Sequence, residues 1–296
     1  MPDSLDRFTQ FLAHSERSPL TLKNYRSDLT AFAIWFQQAN GDAMEPGKIT
    51  PTDLREYKRE LIARGALKPA SINRKLASLR SFLRWAHEAG LTESPAPPKV
   101  PRAEREERPG PRWLDRREQN ALLRAVERGG NLRDRALVAL LLNTGLRVAE
   151  LCALTWRDVS LSDRKGTLTV RAGKGGKRRQ VPLNRDARDA LLSVGYDRHG
   201  GQDRSIFQGQ RGALTPRGVQ NLLDKYRAHG GRGAEREQLS PHVLRHTFCK
   251  NLIDAGVGLE KVAALAGHER LETTRRYGEP SLKDLEQAVA LIGEAE

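Results

Sequence analysis

The sequence predicts a mainly α protein with a small β-sheet, divided into two domains. Apolar residues recur at three- and four-residue spacing through most of the chain, which is typical of amphipathic helices. Two short β-rich runs lie close together in the second half, and a proline-rich, charged segment separates the halves. We therefore expect a first domain at 1–93, a linker at 94–111 and a second domain at 112–296.

The composition favours a globular protein with a polyanionic partner. The 296 residues include 51 Lys and Arg against 37 Asp and Glu, which gives a formal net charge of +14. Basic side chains that neutralise phosphates supply most non-specific affinity for nucleic acid, although a basic surface that only aids solubility is the alternative. No apolar run long enough to span a membrane and no signal peptide is evident. Two cysteines, Cys152 and Cys249, indicate a reducing cytoplasm and no disulfide framework.

The sequence contains none of the common metal or nucleotide motifs. It has no GxxxxGK[ST] loop and no HExxH, and GKGG at 173–176 lacks the flanks of a phosphate-binding loop. His242 and His246 are four residues apart, a spacing that would let both rings bind one metal ion. A metal site is the less favoured interpretation, because the segment has no carboxylate nearby to complete it. We therefore expect no cofactor, no metal and no nucleotide hydrolysis.

Four amphipathic helices are predicted in residues 1–93, with breakers between them at 18–19, 41–51 and 65–69. The last helix has a polar, basic face, which is usually only solvated unless the rest of the chain indicates DNA. Its candidate DNA-binding residues are Asn73, Arg74, Lys75 and Arg80.

Helices and one hairpin are predicted in the second domain. The runs at 166–171 (GTLTVR) and 178–183 (RRQVPL) predict a β-hairpin with a basic, glycine-rich tip at 172–177. An apolar helix is predicted at 132–142, and a last amphipathic segment near the C-terminus. Other helix starts are marked by capping side chains: Asp115 with Glu118, Thr215 before Pro216, and Ser240 before Pro241.

Side chains suited to metal-free cleavage of a phosphodiester also occur in the second domain. The reaction needs a nucleophile, positive charge for the phosphoryl oxygens and an acid for the leaving sugar oxygen. Tyr277 can attack through its phenolic oxygen, whose reference pKa of about 10 means that the proton must be removed with help. Arg147 and Arg245 can bind phosphoryl oxygens bidentately. The structural alternatives are a helix ion pair of Arg147 with Glu150 and a packing role for Tyr277.

These three residues are part of a longer series of candidate catalytic residues in the second half of the chain. The series lies in five sequence motifs: TGLRVAEL with Arg147, GKGGKRR with Lys174, SPHVLRHTF with His242 and Arg245, LAGH with His268, and RRYGEP with Tyr277. In this order and spacing, the second half of the chain resembles the tyrosine site-specific recombinases, the family of Xer-type recombinases, Cre-like enzymes and phage integrases. The four N-terminal helices resemble that family's core-binding, SAM-like domain by architecture and by a loose T-x-x-x-Y-x-x-D-L pattern at 21–29.

The resemblance implies a role for each remaining residue. It assigns help in removing the phenolic proton to His242 and a hydrogen bond to the phosphate to His268. It also assigns proton donation to the leaving 5′ oxygen to Lys174, at the hairpin tip. Next to that tip, Lys177 and Arg178 are expected to contact DNA. Lys177, Arg178 and Arg179 are each an alternative to Lys174.

The resemblance also implies a reaction and partners. The two domains would close around double-stranded DNA and cut one strand through a 3′-phosphotyrosyl bond. They would then exchange strands through a Holliday junction without ATP. It implies a homo-oligomer, a tetramer on two DNA sites, or a paired recombinase, with the tail at 281–295 docking onto a neighbouring protomer. We expect a cytoplasmic, nucleoid-associated protein without a membrane partner.

Two other functions stay open at this point. A type IB topoisomerase uses similar chemistry, but its coiled insert before the tyrosine is missing, because nine residues separate His268 from Tyr277. A non-catalytic DNA-binding or architectural protein would keep the charge and lose the chemistry. The chain departs from the family pattern after Tyr277, where Gly278 and Glu279 stand in place of the Thr-His pair of many Xer-type members. The four predicted N-terminal helices begin at the start of the sequence, so we expect no arm-binding domain ahead of them.

Overall fold

The computed structural model describes residues 3–15, 19–93, 98–101, 111–171, 178–210, 212–227, 239–268, 271–278 and 289. The chain divides into two compact units, Met1–Arg108 and Pro109–Glu296. The predicted fold class, mainly α with a small sheet, is confirmed. Among the described residues, no helix is both long and apolar enough to cross a membrane.

The first unit contains the four predicted helices. They are α1 (Asp3–Ala13), α2 (Pro19–Asn40), α3 (Pro51–Ala63) and α4 (Pro69–Glu88). A capping box at Thr50 and Asp53 starts α3. The apolar faces meet in a core in which Phe8, Phe32 and Phe82 are completely buried, and Phe8 packs edge-on against Phe82.

A buried carboxylate joins α2 to the basic face of α4. Asp28 is fully enclosed and accepts a hydrogen bond from Ser78 Oγ at 2.9 Å and one from Lys75 Nζ at 3.3 Å. Arg74 also donates to the same carboxylate. A buried charge must be paired, so this cluster fixes the orientation of the basic side chains on α4.

The second unit is built mostly from short helices. They are α5 (Arg116–Arg128), α6 (Leu132–Thr144), α7 (Val148–Cys152), α8 (Arg185–Ser193), α9 (Tyr196–His199), α10 (Pro216–Arg227), α11 (Pro241–Asp254), α12 (Leu259–Ala266) and α13 (Leu271–Arg275). All three predicted capping side chains act as caps: Asp115, Thr215 and Ser240 accept hydrogen bonds from the backbone N–H three residues on. The apolar helix predicted at 132–142 is α6, which is buried on almost every side.

The described residues of this unit also form two small sheets. The predicted hairpin forms β2 (Gly166–Val170) and β3 (Arg179–Pro182), paired antiparallel with Leu168 opposite Val181. A third strand, β1 (Val159–Leu161), extends this sheet in the order β1-β2-β3, and β4 (Gln208–Gly209) pairs with β5 (Gly212–Ala213). The tip at 172–177 lies outside the described residues.

Candidate active site

The first side of the site is the turn between α6 and α7. Helix α6 ends at Gly145, whose φ of 60° is the left-handed conformation that glycine adopts without strain. Arg147 then occupies the N-cap position of α7. The Glu150 carboxylate accepts a hydrogen bond from the Arg147 backbone N–H and another from its guanidinium, both at 2.8 Å. The Arg147–Glu150 ion pair therefore exists and also fixes the local direction of the chain.

The second side is helix α11. Ser240 caps its first turn by accepting a hydrogen bond from the Val243 backbone N–H at 3.3 Å. The spacing of His242, Arg245 and His246 then brings their side chains to adjacent positions on the helix surface. The His242 and His246 rings are 6.4 Å apart between centroids.

The third side is the segment from the end of α12 to Tyr277. Gly267, with a φ of 68°, ends the helix, and its carbonyl accepts a hydrogen bond from Arg147 Nη2 at 2.6 Å. His268 follows, with Nδ1 2.8 Å from Thr274 Oγ1. Its ring lies nearly parallel to that of Tyr277, with 6.2 Å between centroids. Arg147 therefore holds this segment against the first side of the site.

Tyr277 is buried and its hydroxyl contacts a histidine. Its side chain packs with Phe248 and Cys249 and is only 3% exposed. The hydroxyl oxygen is within hydrogen-bonding contact of His246 Nδ1. Burial, with a smaller contribution from Cys249, raises the pKa of Tyr277 to about 12, against the positive field of Arg245. The phenol is therefore protonated at neutral pH.

Arg245 is the most deeply buried cation of the site, with 4% exposure. Its Nη1 donates to the Gly145 carbonyl at 2.5 Å, whereas Nη2 is buried and has no hydrogen-bond partner in the described part of the chain. Burial and the neighbouring Arg147 lower the pKa of Arg245 to about 10, so it is still charged at neutral pH. A phosphoryl oxygen would satisfy this unpaired donor.

Glu150 also binds a second arginine. Arg179, at the start of β3, donates to both carboxylate oxygens, at 2.9 and 2.8 Å, and to the Leu265 carbonyl at 3.2 Å. Burial alone would raise the pKa of Glu150, but hydrogen bonds and charge from Arg179 and Arg147 lower it to about 2. This carboxylate thus binds two arginines and interacts electrostatically with a third, Arg245. One negative and three positive charges leave the site with a net positive charge that suits an anion.

The three histidines of the site are neutral at neutral pH. Burial, followed by the positive charges of Arg245 and Arg147, lowers the pKa of His268 to about 4. Burial, His242 and Arg245 lower the pKa of His246 to about 4 as well. Burial, Arg245 and Arg147 also lower the pKa of His242. The charge that would bind a phosphate therefore comes from the arginines, and each neutral imidazole has one ring nitrogen that can accept a hydrogen bond.

Five of the six residues predicted to be catalytic lie together in this cluster. They are Arg147, His242, Arg245, His268 and Tyr277. The sixth, Lys174, lies outside the described residues, as does Lys177. Arg178 is exposed just before β3. The tail predicted at 281–295 also lies outside them, apart from Val289, which is exposed.

The predicted DNA-binding residues of the first unit lie on α4. Arg74 and Lys75 hold the buried aspartate described above, yet the Arg74 side chain remains 43% exposed, against 16% for Lys75. Arg80 Nη2 donates to the Val100 carbonyl at 3.3 Å, and Asn73 is half-buried. Arg74 is therefore the most accessible of these four side chains.

Two residues of the site could not be assigned from the sequence. The sequence suggests Arg179 only as an alternative to Lys174, but its guanidinium points inward to Glu150. The sequence suggests His246 only as a partner of His242 for a metal ion, but it contacts the Tyr277 hydroxyl. Its position directly after Arg245 was the available signal. No group of three or more His, Cys, Asp or Glu side chains that could hold a metal occurs within the described ranges.

Comparisons with known proteins agree with this geometry. The model of the phage integrase family matches residues 112–283, and that of the phage integrase N-terminal SAM-like domain matches residues 5–90. Tyrosine recombinase XerC of Xanthomonas campestris pv. campestris (strain B100) is 34% identical, covering 93% of this chain and 84% of that protein. XerC of Pelobacter propionicus (strain DSM 2379 / NBRC 103807 / OttBd1) is also 34% identical, covering 96% and 94%.

A solved structure has the same fold. The Tn1549 transposon integrase in complex with transposon right end DNA has a TM-score of 0.76 at 18% identity, covering 98% of each chain. The family matches, the identity over nearly the whole chain and the arrangement of arginines, histidines and tyrosine lead to one conclusion. The chain belongs to the phage integrase family and is a DNA-binding tyrosine recombinase, an enzyme that cuts and rejoins DNA strands in site-specific recombination.

Proposed function

We propose that Tyr277 is the nucleophile of this recombinase. Its phenolic oxygen attacks the scissile phosphorus, the bond to the 5′ oxygen breaks, and a 3′-phosphotyrosyl bond forms. The free 5′ hydroxyl of a partner strand then attacks this bond, which rejoins the DNA and releases the tyrosine. The covalent bond conserves the energy of the phosphodiester, so the exchange needs no ATP and can pass through a Holliday junction.

The observation that carries this proposal is the buried, unpaired Nη2 of Arg245. A guanidinium nitrogen that is removed from water without an acceptor costs about 1–3 kcal/mol or more, since the group is charged. A non-bridging phosphoryl oxygen would offset that cost, and Arg147 would bind a second oxygen while anchored by Glu150. The two arginines would then oppose the charge that develops on the phosphorus oxygens in the transition state.

The other site residues complete the reaction. His268, held by Thr274, would donate a hydrogen bond to the phosphate. Lys174 would protonate the leaving 5′ oxygen, as the resemblance implies. Two imidazoles are candidates for the phenolic proton of Tyr277: His242, to which the resemblance assigns it, and His246, which contacts the hydroxyl.

We further propose how the chain assembles on DNA. Residues 1–93 would form the core-binding domain and 112–296 the catalytic domain, joined by the linker at 94–111, so that both hold one duplex. Asn73, Arg74, Lys75 and Arg80, together with Lys177 and Arg178, would contact DNA. Pairs of protomers on each of two sites would form a tetramer, with the segment at 281–295 docking onto a neighbour. The protein would work in the cytoplasm, on the nucleoid.

Covalent capture tests this proposal. The protein is incubated with sheared host chromosomal DNA in EDTA, denatured, and its attached fragments are sequenced. We expect attachment at 3′ ends that share one sequence, and none with Tyr277→Phe. The recovered duplex is then placed twice in a plasmid. Recombinant circles would support recombination, relaxation alone would indicate a topoisomerase, and bending without attachment would indicate an architectural protein.

A further inference from the structure

His246 is the site histidine that touches the reacting atom. Its Nδ1 contacts the Tyr277 hydroxyl oxygen, and the two ring centroids are 5.2 Å apart. His242 lies one helical turn earlier, with its ring 6.4 Å from that of His246, and no hydrogen bond joins it to Tyr277 within the described structure. A group that removes a proton must be within hydrogen-bonding reach of it, and His246 meets that condition.

We propose that His246 Nδ1 accepts the phenolic proton of Tyr277 during strand cleavage and returns it during rejoining. This inference rests on the proposed function, in which Tyr277 is the nucleophile. In cleavage, the O–H bond breaks and the proton moves to Nδ1 while the bond from oxygen to phosphorus forms. The bond from phosphorus to the 5′ oxygen breaks, and that oxygen takes a proton from the proposed acid, Lys174. Rejoining reverses each of these steps.

The surroundings of His246 keep its lone pair available. The groups that face it come from its own helix and from the segment around the tyrosine: His242, Arg245, His268, Arg276 and Tyr277. None of these is a carboxylate, so no negative charge among them stabilises a charged imidazole before DNA binds. Burial and the neighbouring positive charges hold the pKa of His246 at about 4.

Such a weak base is sufficient if the proton moves late. The phenolic hydrogen becomes far more acidic as its oxygen bonds to phosphorus, so transfer to a neutral imidazole becomes favourable in the transition state. A bound phosphate also partly neutralises Arg245, whose charge lowers the pKa of His246. The resting tautomer must then carry its hydrogen on Nε2, so that Nδ1 can accept.

The DNA-free protein gives the first test. Nitrogen-15 NMR of histidine-labelled full-length protein at pH 7 reports which ring nitrogen carries the hydrogen. We expect the His246 signals of the Nε2–H tautomer and a shift of its Nδ1 signal in Tyr277→Phe. A hydrogen on Nδ1 would overturn the proposal, because the imidazole would then donate to the tyrosine.

Single-turnover cleavage of the duplex recovered by covalent capture, nicked to trap the adduct, gives the second test. His246→Asn keeps an acceptor oxygen close to the position of Nδ1 but cannot take up a proton, whereas His246→Ala removes both functions. We expect both variants to cleave at least about 100-fold more slowly with unchanged DNA affinity. Added imidazole should restore part of the His246→Ala rate in proportion to its neutral form.

The controls separate this inference from the function on which it rests. His199→Asn, a histidine of the same unit outside the cluster, should cleave at the normal rate. A His246→Asn rate within threefold of the original would show that the contact only positions Tyr277. A large loss in His242→Asn without one in His246→Asn would assign the proton to His242. An adduct that persists in Tyr277→Phe would instead refute the proposed function.

Discussion

At the scale of single residues, Glu150 organises the site more than any other side chain. It caps the start of α7, pairs with Arg147 and binds Arg179 through both oxygens while remaining buried. A buried carboxylate with these partners holds two cations in place that would otherwise repel each other. The position of Arg147 against the end of α12 therefore depends on a residue that we do not expect to touch DNA.

Replacing Glu150 should change both stability and its pH dependence. The pKa of Glu150 falls from 4.5 to about 2 on folding, which corresponds to about 3 kcal/mol of stability. Because the folded-state pKa is the lower one, this contribution is complete above pH 4.5 and is lost as the pH falls through 2. Glu150→Gln should therefore lower the free energy of unfolding by about 3 kcal/mol at pH 7, as measured in urea.

A matched control separates burial from charge. Glu127 pairs with Arg135 at the surface, where it is 65% exposed. Glu127→Gln should change the unfolding free energy by less than about 1 kcal/mol. The difference between Glu150→Gln and the original protein should also shrink as the pH falls from 4.5 towards 2. An equal effect of the two substitutions, or a constant difference across this range, would contradict the role of Glu150.

The chemistry of single residues explains which residues of the site could be predicted from the sequence. Arg147, Arg245 and Tyr277 follow from the needs of phosphoryl transfer, because few side chains can perform those tasks. His246 and Arg179 could not be assigned in that way. Their roles depend on which helix end or strand lies opposite them, and Tyr277 is 31 positions from its contact at His246. Sequence spacing alone carries no such information.

At the scale of elements, the turn after α6 couples a helix end to the buried arginine. The Gly145 carbonyl accepts the Arg245 hydrogen bond, and a Cβ on Gly145 would lie 2.3 Å from a Phe248 ring carbon. Both contacts belong to α11, so the turn and this helix must fit each other closely. The left-handed backbone and the lack of a side chain are both required.

Gly145→Ala should therefore be much more disruptive than an ordinary glycine substitution. We expect it to lower the free energy of unfolding by at least about 3 kcal/mol, the sum of left-handed strain and steric overlap. Gly130 has a similar φ of 65° and open space around it. Gly130→Ala should cost only about 1–2 kcal/mol. Equal losses in thermal or urea unfolding would show that Phe248 moves aside freely.

Helices were predictable from the sequence and short strands were not. Periodic apolar positions and capping residues identify helices such as α4 and α11 because these signals repeat over several turns. β1 has three residues, and β4 and β5 have two each. So few residues carry no measurable alternation, and their pairing depends on partners brought together by the rest of the fold.

At the scale of the whole molecule, positive charge is a property of both units. The net charge of +14 is shared between them, with the larger excess in 109–296. Binding to duplex DNA should therefore release many counterions. We expect the affinity for a duplex of any sequence to fall by roughly 10³-fold between 50 and 200 mM salt, as measured by fluorescence anisotropy. An affinity that changes less than tenfold would contradict binding through the phosphates.

The central claim, that Tyr277 carries the DNA, is most directly tested by locating the attachment. Trypsin cleaves after Arg276 and Lys283, so Tyr277 lies in the peptide 277–283. Captured complexes are digested with nuclease and trypsin and analysed by mass spectrometry. We predict a 3′-nucleotide on Tyr277 in that peptide, and none in Tyr277→Phe. A nucleotide on another residue, such as Tyr226, would contradict the account.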